Sequence, residues 1–474
     1  MDFYLNPKIS DALEVKMKAK VCDCIPGAGK TEAAITMMKR NPDKRYLFVT
    51  PYLDEVQRIK DSCSELSFEE PEDSGRYFTK MDSLHELLRE RRNIAQSHAL
   101  FSLYTEETRR LIRDGGYTLI LDEVMNVINR ERMSKADIQI LFDAHIIEME
   151  DDGYHIRWLR DEYNGTFRDL KKKADSHNLF LSDSKLLFWT LPVKNFGAFT
   201  DIYVLTYLFR AQIQKYYYEI NGVEFEYIGV RNTENGYEFS ADAEIPAYAK
   251  TLIDRVHIID DEKANAVGAA SSALSSDWFR LARGRVKNGV RGADIEHIKR
   301  SIRSLFGYHR NVSSSDFIWT TFKEQQNALD FERYRSRFVS CNIRATNAYR
   351  NCHYAAYCVN IFFNPDMSGY LKKCGVTMEE DMYALSEMIQ WVWRSAVRAG
   401  EEVWIYIPSA RMRHLLQDWL EALAAGRDVA EYHQEREQER ALMEFPTPIK
   451  RNGKTSHVRT AAVKAKKSVH TGRK

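Results

Sequence analysis

The sequence predicts an α/β protein with two domains in tandem, each a mainly parallel sheet with helices on both faces. Three observations lead to this fold class. A buried strand, a glycine-rich turn and a helix follow one another in residues 21–39. A later apolar strand ends in two adjacent carboxylates, at residues 122 and 123. Apolar strands then alternate with helices again over residues 316–408, and such alternation is typical of parallel sheets.

The glycine-rich turn has the features of a phosphate-binding loop. Residues 24–31 read Cys-Ile-Pro-Gly-Ala-Gly-Lys-Thr, which matches the pattern G-x-x-x-x-G-K-[ST] except that Cys24 replaces the first glycine. The glycines let backbone N–H groups point inward at a phosphate, and the helix N-terminus adds partial positive charge. We expect Lys30 to reach the phosphates of ATP and Thr31 to hold Mg²⁺. The predicted ATP-binding residues of this loop are Gly27, Ala28, Gly29, Lys30 and Thr31.

The acidic strand supplies the second half of such a site. Residues 117–125 read Tyr-Thr-Leu-Ile-Leu-Asp-Glu-Val-Met and follow the loop by about 90 residues. Open parallel sheets bind ligands at the carboxyl ends of their strands. Asp122 is therefore predicted to hold Mg²⁺, and Glu123 to polarise the attacking water. The two motifs together favour an ATP-hydrolysing site over an ordinary glycine-rich turn.

Composition limits the class of protein. The chain has 474 residues, 44% of them hydrophobic and 29% charged, which is ordinary for a globular protein with two or three domains. No apolar run approaches the length of a membrane span, and residues 1–10 lack a signal-peptide pattern. The seven cysteines are scattered, as expected for reduced thiols in the cytoplasm, without a disulfide framework or a zinc site.

The net charge of +1 hides an asymmetry, because residues 450–474 carry nine Lys or Arg and no acid. This tail is predicted to be disordered, and it serves either solubility or non-specific phosphate binding.

An Asn-Gly turn at residues 235–236 predicts a hairpin between the two domains. The predicted segments are a first domain at 1–220, a linker hairpin and basic helical segment at 221–310, a second domain at 311–425 and a charged tail at 426–474.

In this order, the segments resemble the motifs of superfamily 2 helicases of the DEAD/DEAH-like group. Residues 24–31 resemble the A-x-x-G-x-G-K-T loop of that family, and residues 344–347 (Arg-Ala-Thr-Asn) resemble its motif V loop. Residues 390–398 (Gln-Trp-Val-Trp-Arg-Ser-Ala-Val-Arg) resemble its motif VI helix. The text of residues 384–413 looks like helicases encoded by tailed bacteriophages. The fold implied is two tandem RecA-like P-loop NTPase domains with a helical and hairpin insertion between them.

The resemblance assigns further residues to the ATP site. Gln390 would contact ATP, and an arginine presented from the second domain would stabilise the charge that develops on the γ-phosphate. Arg394 and Arg398 are four residues apart, so a continuous helix would place both on one face. The second arginine comes one residue later than in the family pattern, and both family glycines are replaced. Which arginine acts stays open.

The resemblance also implies nucleic-acid contacts from the strand ends and loops. The residues concerned are Thr50, Pro51, His98, Thr206, Arg344 and Thr346. Two of these have structural alternatives. His98 would equally cap the next helix, and Thr206 would equally end a buried strand.

The implied function is an ATP-dependent helicase or translocase acting on single-stranded or forked DNA. ATP and Mg²⁺ would be its cofactors, phage-type replication or recombination its setting, and the host cytoplasm its location. No glutamine precedes Gln57 and the acidic motif reads Asp-Glu-Val-Met, which argues against the DEAD-box RNA subgroup. Three alternatives stay open: a packaging motor, an ATPase that remodels complexes without strand separation, and a binding protein with a degenerate P-loop. The first would carry a nuclease domain with clustered carboxylates, for which residues after 320 offer no candidate.

Overall fold

The computed structural model describes residues 18–73, 79–182, 186–287, 289–342, 348–444, 449–451 and 454–456. Within these ranges, no helix is both long and apolar enough to cross a lipid bilayer.

Strands and helices alternate from residue 18 to residue 122, as predicted. Strand interiors are buried on both faces, and the helix after the phosphate loop turns Ala33, Ala34, Ile35 and Met38 toward the sheet. The elements are β1 (Lys18–Asp23), α1 (Lys30–Arg40), β2 (Arg45–Thr50), α2 (Leu53–Ser62), α3 (Lys80–Arg89), β3 (Ile94–Ser97), α4 (His98–Phe101), α5 (Glu106–Gly115) and β4 (Tyr117–Asp122).

A small unit with its own apolar core is inserted after β4. Ile138, Leu141, Trp158 and Leu187 are buried together in that core. The sequence pattern predicted the apolar strand at residues 185–192, but gave no prediction for most of the preceding residues, where the strands are short and separated by charged turns. The elements are β5 (Ile128–Arg130), α6 (Lys135–Asp143), β6 (Ile147–Met149), β7 (Ile156–Trp158), α7 (Arg168–Asp175), β8 (Leu179–Ser182) and β9 (Leu186–Thr190).

The chain then returns to the first sheet. The elements are β10 (Asp201–Thr206), α8 (Ile213–Ile220), β11 (Glu224–Thr233) and β12 (Gly236–Ser240). The strand order is β12-β11-β1-β10-β4-β2-β3, with only the β11–β12 pair antiparallel. The predicted hairpin is present, but its placement between the domains was wrong. The first half of β11 pairs with β1 from Lys18↔Glu224 onward, which makes the hairpin an edge of the first sheet.

The second domain is a four-stranded sheet in the order β13-β18-β17-β16, with every pair parallel. Its β13 precedes residue 311, so this sheet draws on the segment predicted as a linker. The elements are α9 (Ala247–Lys250), β13 (Val256–Ile258), α10 (Glu262–Asn265), α11 (Ser276–Ala282), β14 (Val286–Lys287), β15 (Val290–Arg291), α12 (Ala293–Ile302), β16 (Phe317–Thr320), β17 (Tyr354–Tyr357), α13 (Pro365–Lys373), α14 (Glu380–Val392), β18 (Val403–Tyr406), α15 (Ala410–Ala425), α16 (Val429–Glu444), β19 (Ile449–Arg451) and β20 (Lys454–Ser456).

Two predictions in this half were wrong. Helix α14 ends at Val392 and a 3₁₀ turn begins at Ala396, so Arg394 and Arg398 do not lie on one continuous helix. The break lies at Ser395, whose backbone is extended and whose hydroxyl donates to Val392 O. The tail predicted from residue 426 also begins with an ordered helix, α16.

The two domains share one apolar core. It runs without interruption from α1 and β2 of the first domain to α14, α15 and β18 of the second. The largest fully buried side chains include Trp319, Trp391 and Trp419 of the second domain. The predicted fold class, α/β with mainly parallel sheets in two domains, is confirmed.

Candidate nucleotide site

The phosphate loop connects the carboxyl end of β1 to the N-terminus of α1. Gly27 and Gly29 both have φ of 87°, a left-handed conformation that side chains with a Cβ rarely adopt. Lys30 folds back over the loop, and its Nζ donates to Cys24 O at 2.6 Å and to Ile25 O at 3.3 Å. The ammonium group therefore lies within the concavity of the loop, where a phosphate would meet it.

The acidic strand reaches the same place. Strands β1 and β4 are separated in the sheet by β10. Even so, the Thr31 hydroxyl, in the helix after β1, donates to Asp122 Oδ1, at the end of β4, at 3.5 Å. Desolvation raises the pKa of Asp122 to about 7, and the negative charges of Glu123 and Glu55 add to the effect. A ring nitrogen of His98 lies 3.1 Å from Asp122 O. His98 thus contacts the backbone of the acidic strand end and belongs to the surroundings of this site.

Glu123 has an unusual backbone conformation. Its φ is 65°, which costs about 1–3 kcal/mol for a residue with a side chain. The Glu123 N–H donates to Leu205 O at 2.9 Å, and this bond holds the turn at the end of β4. Backbone strain of this kind concentrates at functional sites.

The donor set suits a hard divalent cation. Thr31 and Asp122 offer oxygen atoms, which are the ligands that Mg²⁺ prefers. Desolvation is the main cause of the raised pKa of Asp122, and the negative charges of Glu123 and Glu55, which Lys30 and Arg58 oppose, leave a smaller excess of negative charge at the strand end. A cation held between loop and strand would relieve that excess. The residues present therefore fit a Mg²⁺ ion.

Aromatic side chains pack against the outer wall of the loop. Tyr248 Oη donates to Pro26 O at 2.7 Å. A Cβ placed on Gly27 would lie 3.2 Å from Trp393 Cζ2, and one on Gly29 would lie 2.3 Å from Tyr237 Cδ1. Trp393 follows α14 of the second domain, so the two domains meet at the phosphate loop itself.

The two candidate arginines have different surroundings. Arg394 is buried, with 8% of its surface exposed, whereas Arg398 reaches the surface. Desolvation lowers the pKa of Arg398, and its charge interacts with those of Glu55 and Arg58 on α2. The same two α2 side chains act on Asp122. Arg398 therefore lies near the α2 charges that also act on Asp122.

A second connection between the domains starts beside the loop. Phe209 N donates to Asp23 Oδ2 at 2.9 Å, and desolvation raises the pKa of Asp23 to about 6. The next residue, Arg210, donates from Nε to Glu379 Oε2 at 2.7 Å. Glu379 directly precedes α14. The loop after β10 therefore joins the end of β1 to the helix that leads to Trp393.

The structure does not support nucleic-acid contacts by Thr50 and Thr206. They are 0% and 1% exposed, because both end central strands that are covered on each face. Pro51 and Gln390 are half-buried. Arg344 and Thr346 lie outside the described residues.

Sequence reasoning missed the residues that surround the loop, such as Glu55, Tyr237 and Trp393. Each lies on an element whose own pattern indicates only an amphipathic helix or a hairpin. The one available signal was Trp393, a large apolar residue directly before Arg394 in the helicase-like segment.

Comparison with known proteins gives two family matches. Residues 250–420 match the YonV C-terminal Rossmann-like domain, and residues 128–189 match the YonV middle domain. The second range coincides with the inserted unit of β5–β9.

Among solved structures, the chain is similar to Xpd4 of S. tokodaii, with a TM-score of 0.42, 12% identity and coverage of 85% of this chain and 94% of that one. It is also similar to the DEAD-box helicase Mss116 bound to single-stranded RNA and UDP-BeF, with a TM-score of 0.33, 14% identity and coverage of 89% and 72%. Both TM-scores lie below 0.5.

Among curated proteins, the chain is 41% identical over 418 residues to the SPbeta prophage-derived uncharacterized protein YonV of Bacillus subtilis (strain 168). The match covers 85% of this chain and 99% of that protein. This chain therefore belongs to the YonV family.

Proposed function

We propose that this protein is an ATP hydrolase of the helicase type, which couples ATP turnover to movement on nucleic acid. One observation carries the proposal. A phosphate loop, an acidic strand end and an arginine from the opposite domain converge, with Thr31 3.5 Å from Asp122 and Arg398 interacting with the same α2 charges as Asp122. These are the parts that phosphoryl transfer requires.

Each residue has a role in this proposal. Lys30 moves from Cys24 O to the β- and γ-phosphates of ATP, and the loop N–H groups bind the phosphate oxygens. Thr31 and Asp122 hold Mg²⁺, which when bound neutralises phosphate charge and polarises the γ-phosphate. Glu123 orients the attacking water, in a backbone conformation that the Leu205 hydrogen bond fixes in advance.

The second domain completes the site. Arg398 stabilises the negative charge that develops on the transferred phosphoryl group. Trp393 holds the outer wall of the loop, so a change in the loop shifts the end of α14 directly. The Asp23–Phe209 bond and the Arg210–Glu379 ion pair give a second route for the same coupling.

We propose DNA as the track and phage-type replication or recombination as the setting. The support is the prophage origin in the relative's name and the resemblance of residues 384–413 to phage helicases. We also propose a cytoplasmic location. All seven cysteines are free thiols, as in proteins of a reducing compartment.

A second candidate is an ATPase that remodels nucleic-acid complexes without separating strands. The uninterrupted apolar core between the domains favours it. Domains joined by a large hydrophobic interface move less than domains joined by a polar one. Small closures suit remodelling better than stepwise translocation.

The test is ATP hydrolysis by the purified chain with single-stranded DNA, single-stranded RNA or duplex, beside Lys30→Ala and Glu123→Gln. We expect turnover that one polymer stimulates and that both variants lose by at least about 100-fold. Lys135→Ala, an exposed lysine on α6, is the matched control for lysine loss. If the Lys30→Ala variant hydrolyses ATP as fast as the wild type, the assignment of this site is refuted. Stimulation by single strands without unwinding of a forked duplex would select the second candidate.

A further inference from the structure

A short basic hairpin protrudes from the second domain. Strands β14 and β15 pair only with each other in the described part of the sheet structure, with Val286↔Arg291 and Lys287↔Val290 as partners. Between them, Gly289 has φ of 76°. Gly292 N donates to Arg285 O at 2.9 Å and closes the base. An isolated two-stranded hairpin gains little stability by itself, so the fold alone does not account for it.

The hairpin and the residues before it are strongly cationic. Residues 280–291 contain five basic side chains and no acidic one. Asp294 lies 3.4 Å from Arg285 and 3.9 Å from Lys287, and the side chains of these two cations stay 50% and 68% exposed. Arg291 has no ion pair or hydrogen bond from its side chain to any described residue.

Apolar side chains are exposed among these cations. Val286 is 62% exposed and Val290 49% exposed. Cross-strand partners share a face of a hairpin, so each face presents one valine beside one cation. Cations match a phosphate backbone, and apolar side chains match the sugars and base faces of an unpaired strand.

The base of the hairpin is fixed at the ligand-binding edge of the second sheet. Arg283 Nη2 donates to Glu324 O at 2.8 Å, just after β16. The Phe279 ring on α11 meets the Phe322 ring edge-on, with centroids 6.3 Å apart. Parallel sheets place ligands beyond the carboxyl ends of their strands. The anchored hairpin therefore stands beside that edge.

We infer that the β14–β15 hairpin, through its described residues 285–287 and 289–292, is a nucleic-acid-binding element that contacts the backbone of a single strand. Arg291 and Val286 contact a phosphate and a sugar or base from one face of the hairpin, and Lys287 and Val290 do so from the other face as the strand passes round it. The inference deepens the proposed function and rests on it for the identity of the polymer. The sequence pattern indicated this segment as basic and helical, and left open whether it lines a nucleic-acid channel or is a plain helical surface.

The test is binding of a fluorescein-labelled oligo(dT) 20-mer, and of the matching oligo(U), by fluorescence anisotropy over a salt series without nucleotide. Each phosphate contact to a single strand contributes about 0.7 to the slope of log affinity against log salt. Lys287→Ala/Arg291→Ala should lower the slope by about 1.4 and weaken binding about 25-fold near 0.1 M salt. Val286→Ser/Val290→Ser should weaken binding severalfold with the slope unchanged.

The matched control is Arg110→Ala/Lys172→Ala, which removes two exposed cations elsewhere and should bind as the wild type does. Circular dichroism and the melting temperature check that each variant is folded.

A hairpin variant with wild-type affinity and slope overturns the inference. So does an equal loss of binding to vesicles with 30% phosphatidylserine, since the hairpin would then bind any polyanion. If binding depends on the hairpin but the wild-type chain hydrolyses no ATP, the proposed function is overturned and the inference stands. If oligonucleotides stimulate ATP hydrolysis but the hairpin variants bind them as the wild type does, the inference is overturned and the proposed function stands.

Discussion

A buried ion network holds α16 against the rest of the second domain. The Asp418 carboxylate is fully buried and accepts hydrogen bonds from His433 Nδ1 at 2.7 Å and from Arg440 Nη1 at 2.8 Å. His433 Nε2 also lies 3.7 Å from a carboxylate oxygen of Asp381 on α14. His433 thus connects three helices. We predict that His433→Gln weakens the docking of α16 in a pH-dependent way.

The magnitude follows from the pKa of His433. Desolvation lowers it, but the hydrogen bonds to Asp381 and Asp418 outweigh that effect and raise it from 6.5 to about 9. One pKa unit corresponds to about 1.4 kcal/mol, so the protonated imidazole contributes about 3 kcal/mol to stability. Because the folded-state pKa is the higher one, this contribution is present below pH 6.5 and is lost as the pH rises through about 9.

Hydrogen-exchange mass spectrometry of residues 429–444 measures this directly, since a 474-residue chain does not unfold in one step. At pH 6, His433→Gln should exchange about 100-fold faster than the wild type, because about 1.4 kcal/mol corresponds to a factor of ten. At pH 10 the two should exchange alike. Glu439→Gln, on the exposed side of α16, is the control and should change little. Equal exchange at pH 6, or a difference that persists at pH 10, would refute the reasoning.

Two further predictions concern the nucleotide site. Gly29→Ala should cost about 2 kcal/mol or more and abolish ATP binding, because it adds left-handed strain and a Cβ 2.3 Å from Tyr237. Gly116→Ala, with a φ of 65° and nothing within 4 Å of the added Cβ, should cost only about 1 kcal/mol by hydrogen exchange of the surrounding amides; equal local costs for the two variants would rule out the Tyr237 contact. Arg398→Ala should lower kcat about 1000-fold with KM and melting temperature nearly unchanged, whereas Arg394→Ala should lower the melting temperature. An unchanged kcat for Arg398→Ala would exclude it as the catalytic arginine.

The sequence pattern was sufficient to predict those features whose residues are adjacent in the chain. The phosphate loop needs glycines at two left-handed positions and a lysine at the helix start, and all of these are adjacent in the chain. The strand that ends in Asp122 and Glu123 was equally readable, because a run of buried apolar residues before two carboxylates has few other structural meanings. The predicted fold class followed from these two motifs and the later strands.

Pattern failed where a distant partner decides the outcome. The Asn-Gly turn indicated the hairpin of β11 and β12, but nothing in it showed that β11 would pair with β1. Continuous helical periodicity placed Arg394 and Arg398 on one face, and the Ser395 break depends on the packing of the second sheet.

By itself, the sequence determined an α/β chain with a phosphate loop, an acidic strand end and free thiols, because each of these depends on residues close together in the chain. The tertiary structure decided that Arg394 is buried and Arg398 exposed, which threonines are buried, and where the basic hairpin is anchored. These depend on the approach of elements separated by hundreds of residues, which is set by how apolar faces pack and not by any local spacing.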